Sequence, residues 1–263
     1  MNEEINQEQR AYLAWNVLVE YAQNSKTITY KELGEKISIH HRAVRFVLDL
    51  IQDYCMENQL PPLTILVLNK NSNLPGSGFV AYDIENSRDG IEKVYKYIWK
   101  SIPNPFTYAE DGTTKEQIVK KIINEPDNSK TIYTKIKVRG VVQTIFRKAL
   151  LEIYENKCAV CKLSFKEVLE ACHIIPYSIS TKQERLDVRN GILLCSNHHN
   201  FFDKKMLTIN DDYTISFSNE LINNSDSDVF NTLNFSGRKL NLPKQEKHRP
   251  RLAFIKKHRE NNL

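Results

Sequence analysis

Long apolar runs are missing from this chain. In 263 residues the longest purely aliphatic stretch is ILVL at 65–68, where a membrane-spanning helix needs about 20 apolar residues in a row. The first ten residues, MNEEINQEQR, are polar and acidic, unlike the apolar centre of a secretory signal. Neither a membrane span nor a secretory leader is therefore expected. Glycine and proline are scarce, at 8 and 9 residues, which excludes a collagen-like or low-complexity chain. Five cysteines are too few and too unevenly placed for a disulfide framework, so the expected setting is a reducing cytoplasm. No internal repeat is present.

What is present is concentrated between Cys158 and Asp203. That stretch holds four of the five cysteines and three of the seven histidines. Cys158-x2-Cys161 and Cys195-x2-His198 repeat one spacing, that of two tight knuckles supplying the four ligands of a closed tetrahedral zinc. A full shell leaves no vacancy for a substrate, so this ion is expected to be structural. A second set, His173, Asn190, His199 and Asp203, is interleaved with the first. His199 and Asp203 are four apart in the helix-compatible run HHNFFDKKM, which puts both side chains on one face and lets them grip one cation. His173 ends an apolar, strand-like stretch stopped by Pro176.

Taken together, CxxC, the AxHIIP block and NGILLCxxHHxxFD resemble the HNH endonuclease family and its ββα-metal fold, over about Arg139 to Ile209. The resemblance implies that His173 is the general base, that Asn190 holds the base strand and the following loop, and that His199 and Asp203 bind a catalytic Mg²⁺ or Mn²⁺. Imidazole, with an ordinary pKa of about 6.5, suits the deprotonation of water near neutral pH. The residue before the base, where many relatives carry Asp or His, is Cys172. A thiolate is a poor partner for Mg²⁺, so Cys172 is either a small packed residue or the mark of a softer metal. The first alternative is adopted here, and the expected ligand set omits Cys172.

The N-terminal part reads as three helices followed by a short β-ribbon. The helices are marked by Tyr12, Trp15, Leu18, Val19 and Ala22, then TYKELGEKI, then Val44, Val47, Leu48, Ile51 and Cys55. TILVLN reads as a strand and NKNSNLPGSGFVAYD as a hairpin. That order is winged-helix-like and resembles, over residues 29 to 79, the corresponding part of alkyltransferase-like DNA-binding proteins. His41, Arg42 and Arg45 at the third helix are the expected DNA contacts there. A further helix carries Val94, Tyr95, Ile98 and Trp99 on one face and is ended by Pro103 and Pro105.

The expected organisation is α+β: a winged-helix-like domain at 1–110, a linker with one short helix at 111–138, and a zinc-stabilised HNH domain with a basic C-terminal tail at 139–263. A long helix at 138–157 should lead into the first knuckle, with Arg139 and Arg147 near phosphates, and a hairpin should follow at 206–218. The chain turns polar between Asn219 and Asp228. Lys and Arg outnumber Asp and Glu by nine to five over 111–152 and by nine to two over 236–263, flanks that suit a polyanion. The expected function is a metal-dependent endonuclease on double-stranded DNA leaving 5′-phosphate and 3′-hydroxyl ends, in restriction or defence. The alternative is a zinc-stabilised DNA-binding regulator with an inactive nuclease-like module. One such site cuts one strand, so double-strand cleavage calls for a homodimer or two nicks.

Overall fold

A computed structural model describes residues 5–136, 138–218 and 232–260. The polar stretch expected between Asn219 and Asp228 lies outside the described residues. The chain divides into two compact units. One takes the chain up to Lys115 together with Lys135–Gly140, the other Glu116–Thr134 and the chain from Val141 onward.

The first unit is built on α1 (Gln7–Gln23), started by the Asn6 side chain accepting from the Gln9 amide at 3.0 Å. Its Trp15 is the centre of an aromatic cluster, edge-on to Tyr54, Trp99 and Phe106. A two-residue strand β1 (Ile28–Thr29) leads into α2 (Tyr30–Lys36), where Thr29 and Glu32 form a reciprocal capping box. Next comes α3 (Val44–Glu57), whose Val44, Val47, Leu48, Ile51 and Cys55 are all buried.

The chain after α3 departs from the expected wing. Residues Leu63–Leu66 form a single 3₁₀ turn, and only Val67–Leu68 continues as strand β2, pairing in parallel with β1. No hairpin forms over 69–83. The Asn69 side chain accepts from Asn71 N, its main chain bonds Leu74 and Asn73, and Pro75 has no N–H to give a ladder. The loop is held instead from outside: buried Gln52 accepts from Val80 N and donates to Gly78 O, and Gly76 N donates to the Tyr30 hydroxyl. Helix α4 (Ser87–Lys96) is shorter than expected. Tyr97 turns extended, Ile98 is 73% exposed, and buried Trp99 donates its indole N–H to Val94 O. The indole thus packs over the helix end well before the prolines.

The stretch expected as a linker is two helices, α5 (Lys115–Asn124) and α6 (Ser129–Lys135). Ile118, Val119, Ile122, Ile123 and Ile132 are buried, so apolar periodicity within a lysine-containing segment was the decisive signal. Helix α7 (Arg139–Ile153) follows as expected. Antiparallel strands β3 (Leu169–His173) and β4 (Gly191–Cys195) pair from Leu169 opposite Cys195 to His173 opposite Gly191. With no intervening residue β4 becomes α8 (Ser196–Asp203), and the hairpin β5 (Leu207–Ile209) and β6 (Ile215–Phe217) comes next.

The basic tail is docked. Its helix α9 (Leu252–Glu260) places Lys256 and Arg259 on Asp211 and stacks His258 flat on Phe202 at 4.0 Å. Just before it, Arg251 pairs with Asp127, which also takes Arg189, itself clamped on buried Asp187. The cationic surplus of this segment is thus partly consumed within the fold.

Gly191 sets the distance between β4 and α7. A Cβ there would lie 2.6 Å from the Phe146 ring and 2.7 Å from Leu150, both fully buried. Overpacking of a tight core costs about 1–3 kcal/mol, so Gly191→Ala should lower the unfolding free energy by that amount and move the denaturant midpoint down with it. A substitution that leaves the midpoint unmoved would show that α7 can retreat freely.

Candidate active site

The two knuckles converge. The ligand atoms of Cys158, Cys161, Cys195 and His198 all lie within 4.8 Å of one another. Cys195 Sγ is 3.1 Å and Cys158 Sγ 3.7 Å from His198 Nδ1, and Cys161 and Cys195 sulfurs are 3.9 Å apart. Bond lengths of about 2.3 Å to sulfur and 2.0–2.1 Å to nitrogen give tetrahedral edges of about 3.5–3.8 Å, so the donor set fits a zinc ion. Cys158, Cys195 and His198 are buried, as a closed shell requires. The first knuckle is formed by Lys162 in the left-handed region, with Lys162 N on Cys158 O, and it is fixed to β4 by Ala159 N donating to Leu193 O at 2.8 Å. Hydrogen bonds within the cluster pull the Cys158 thiol down and push the Cys161 thiol up.

A second set of donors gathers Cys172, His199 and Asp203, again within 4.8 Å of one another. His199 Nε2 is 3.4 Å from Asp203 Oδ2, one helical turn on. On its other side His199 Nδ1 meets a Glu170 carboxylate oxygen. A carboxylate can only accept, so Nδ1 carries the hydrogen and the Nε2 lone pair faces Asp203. Burial pushes the Glu170 carboxyl up, but hydrogen bonds from Ser196 and His199 outweigh it and hold the group below its usual range. Glu170 was not picked out from the sequence. Strand alternation places it on the same face of β3 as Cys172, two residues on, which is the signal that could have found it. Cys172 is fully buried, and burial, with Asp203 adding, raises its thiol well above the ordinary value.

His173 lies on the other face of β3. Its ring stacks on Phe146 at 4.0 Å, and Nε2 is 3.1 Å from the Arg185 carbonyl. The carbonyl must accept, so Nε2 holds the hydrogen and Nδ1 keeps a lone pair for a proton. Burial lowers this imidazole to about 4, which keeps it neutral at pH 7. Asn190, wholly buried, accepts from Ile175 N at 2.9 Å and donates to Glu184 O at 3.0 Å. Its amide ties the exit of β3 to the far end of the 174–185 loop. His173, His199, Asp203, Tyr177, Lys205 and His258 line one cleft of about 330 Å³. His258 comes from the basic tail, where nothing local to the sequence marks it.

Residues 158–210 match the HNH endonuclease family. The match spans both donor sets and the loop between them. No curated protein matches the chain. One solved structure, a modification-dependent TagI restriction endonuclease, aligns over 43% of this chain and 35% of its own, at 21% identity and a TM-score of 0.28. The aligned part is about a third of that enzyme's length, and so low a score carries no weight for this chain.

The residues expected at DNA outside the HNH region fall in different places. His41, Arg42 and Arg45 all line a cleft of about 900 Å³ in the first unit, together with Lys31, Lys70 and the half-exposed Phe46. His41 and Arg42 lie on a 3₁₀ turn just before α3. Arg139 is exposed at the start of α7. Arg147 has a structural partner: one guanidinium nitrogen donates to the carbonyls of Lys166 and Leu169 at 2.7 and 2.9 Å, closing the approach to β3.

Structural zinc binding is worth about 10–16 kcal/mol in small zinc modules, as much as the whole stability of an ordinary domain. Metal analysis should therefore find about one tightly held zinc per chain, and Cys158→Ser should unfold the second unit. A soluble Cys158→Ser protein with wild-type circular dichroism would contradict this. In wild type carrying the structural zinc and no other added cation, histidine NMR should show the His173 Nε2–H tautomer persisting at pH 6, with protonation only toward about 4. A midpoint near 6.5 would mean that the ring is solvated.

Proposed function

We propose that this protein is an endonuclease whose HNH region hydrolyses DNA phosphodiester bonds. The reading is carried by one observation: His173, His199 and Asp203 line the same 330 Å³ cleft. His173 Nδ1 takes the proton of a water that attacks phosphorus. Its protonated ring is held in register by the Phe146 stack and the Arg185 carbonyl, while Asn190 fixes the loop that carries that carbonyl. His199 and Asp203 would hold a divalent cation, which would supply charge neutralisation at the phosphate and at the departing 3′ oxygen. Glu170 orients His199 for that grip. Attack in this sense leaves 5′-phosphate and 3′-hydroxyl ends.

Duplex DNA is the substrate we favour, because His41, Arg42, Arg45, Lys31 and Lys70 place five basic side chains around a second cleft in the first unit. Phosphate contacts of this kind give affinity that falls with salt. A reader unit joined to a cutter suits restriction or defence, and two copies or two successive nicks would sever both strands.

Loss of a general base costs on the order of 10² to 10⁴ in rate. Supercoiled plasmid incubated with the protein and divalent cations should be nicked, with an EDTA control inert, and His173→Ala should slow nicking by at least that range while retaining zinc and DNA affinity. An Ala variant that nicks at the wild-type rate would remove His173 from the mechanism. A wild type that binds plasmid and leaves it whole with every cation would be the DNA-binding regulator instead. Charge reversal of Arg42 and Arg45 together should weaken DNA binding and flatten its salt dependence, and unchanged retention at low salt would remove the first unit's cleft from the interface.

A further inference from the structure

We propose that Cys172 is the third protein ligand of the catalytic ion and makes the site select a thiolate-accepting cation, such as zinc or cobalt, over magnesium. The expectation from sequence left Cys172 as packing and favoured Mg²⁺ or Mn²⁺. Geometry points the other way. Cys172 Sγ is 3.9 Å from Asp203 Oδ1, and His199 Nε2 is 3.4 Å from Asp203 Oδ2, with all three donors inside 4.8 Å. Those separations match the Cys158–Cys161–Cys195–His198 cluster, where donors stand 3.1 to 3.9 Å apart. A set of this size encloses an ion with bonds of about 2.0–2.3 Å.

The surroundings of the sulfur support the same conclusion. Its polar neighbours are the Asp203 carboxylate and the His173 carbonyl at 3.7 Å, both oxygens at the far limit for a thiol. A cysteine kept only to fill space would sit among carbon. The Nε2 lone pair of His199 is already turned to this corner by Glu170. Sulfur, nitrogen and one carboxylate oxygen suit zinc or cobalt, whereas magnesium demands oxygen donors in near-octahedral array. On ion entry the thiol proton passes to the buffer and the sulfur bonds the cation as thiolate. Three protein ligands leave a further position for water or phosphate, as in catalytic zinc sites and unlike the closed cluster next door.

The inference rests on the proposed nuclease site, but its test is read by spectroscopy and does not depend on cleavage. Full-length protein carrying one zinc in the structural cluster is titrated with Co²⁺, and zinc release is followed with a chromogenic chelator. The wild type should bind one further equivalent with a thiolate-to-cobalt charge-transfer band and no zinc release, and a large excess of Mg²⁺ should not displace it. Cys172→Ser should lose the band and bind Co²⁺ at least about tenfold more weakly, since even loss of an outer partner costs about 10- to 100-fold. Cys172→Asp should lose the band and gain affinity for Mg²⁺ or Mn²⁺. Retained zinc reports that each variant is folded. A cobalt equivalent bound by the wild type without a thiolate band, or displaced by Mg²⁺, overturns the proposal with no variant needed. If the band is present and plasmid stays intact, the ligand assignment stands and the nuclease reading is what failed.

Discussion

The junction at Cys195–Ser196 is the constraint on which the site depends. Strand β4 ends on one zinc-type ligand and helix α8 begins at once, carrying the next ligand three residues on. A strand that turns straight into a helix has no slack to absorb errors of position. The four-donor cluster therefore fixes the rotation of α8 about its axis, and with it the direction of His199, the residue immediately after His198. Pairing of β4 with β3 then sets Glu170 and Cys172 opposite that helix, and Gly191 lets α7 close over the other face. A single four-donor cluster thus positions side chains on both sides of a two-stranded sheet.

The two faces of β3 divide the labour. One face offers donors for a cation, with a carboxylate behind the histidine to fix its tautomer. The other presents His173 with its tautomer fixed the opposite way, by a main-chain carbonyl. The two rings thus differ in which nitrogen meets a fixed oxygen acceptor, Nε2 in His173 and Nδ1 in His199.

Much of this region was legible in the sequence because its signals are local. Cys-x2-Cys, Cys-x2-His and the four-residue step from His199 to Asp203 are short-range spacings that survive any tertiary arrangement. Glu170 and His258 were not legible, since each earns its place by meeting a residue at least 29 positions away. Cys172 was read as packing because a thiolate is a poor partner for Mg²⁺, while its neighbours in space are a carboxylate and a carbonyl. In the first unit the helices followed from apolar periodicity, but the wing did not form. TILVLN has the composition of a strand, yet most of it closes a 3₁₀ turn, and the loop after it is pinned by Gln52 and Tyr30. The segment 111–138 looked like a linker because lysines and asparagines mask its buried isoleucines.

Helix α9 supplies one wall of the cleft, yet it comes about fifty residues after Asp203 in the chain. A wall drawn from so distant a stretch ties the shape of the cleft to the docking of that helix, where His258 lies flat on Phe202.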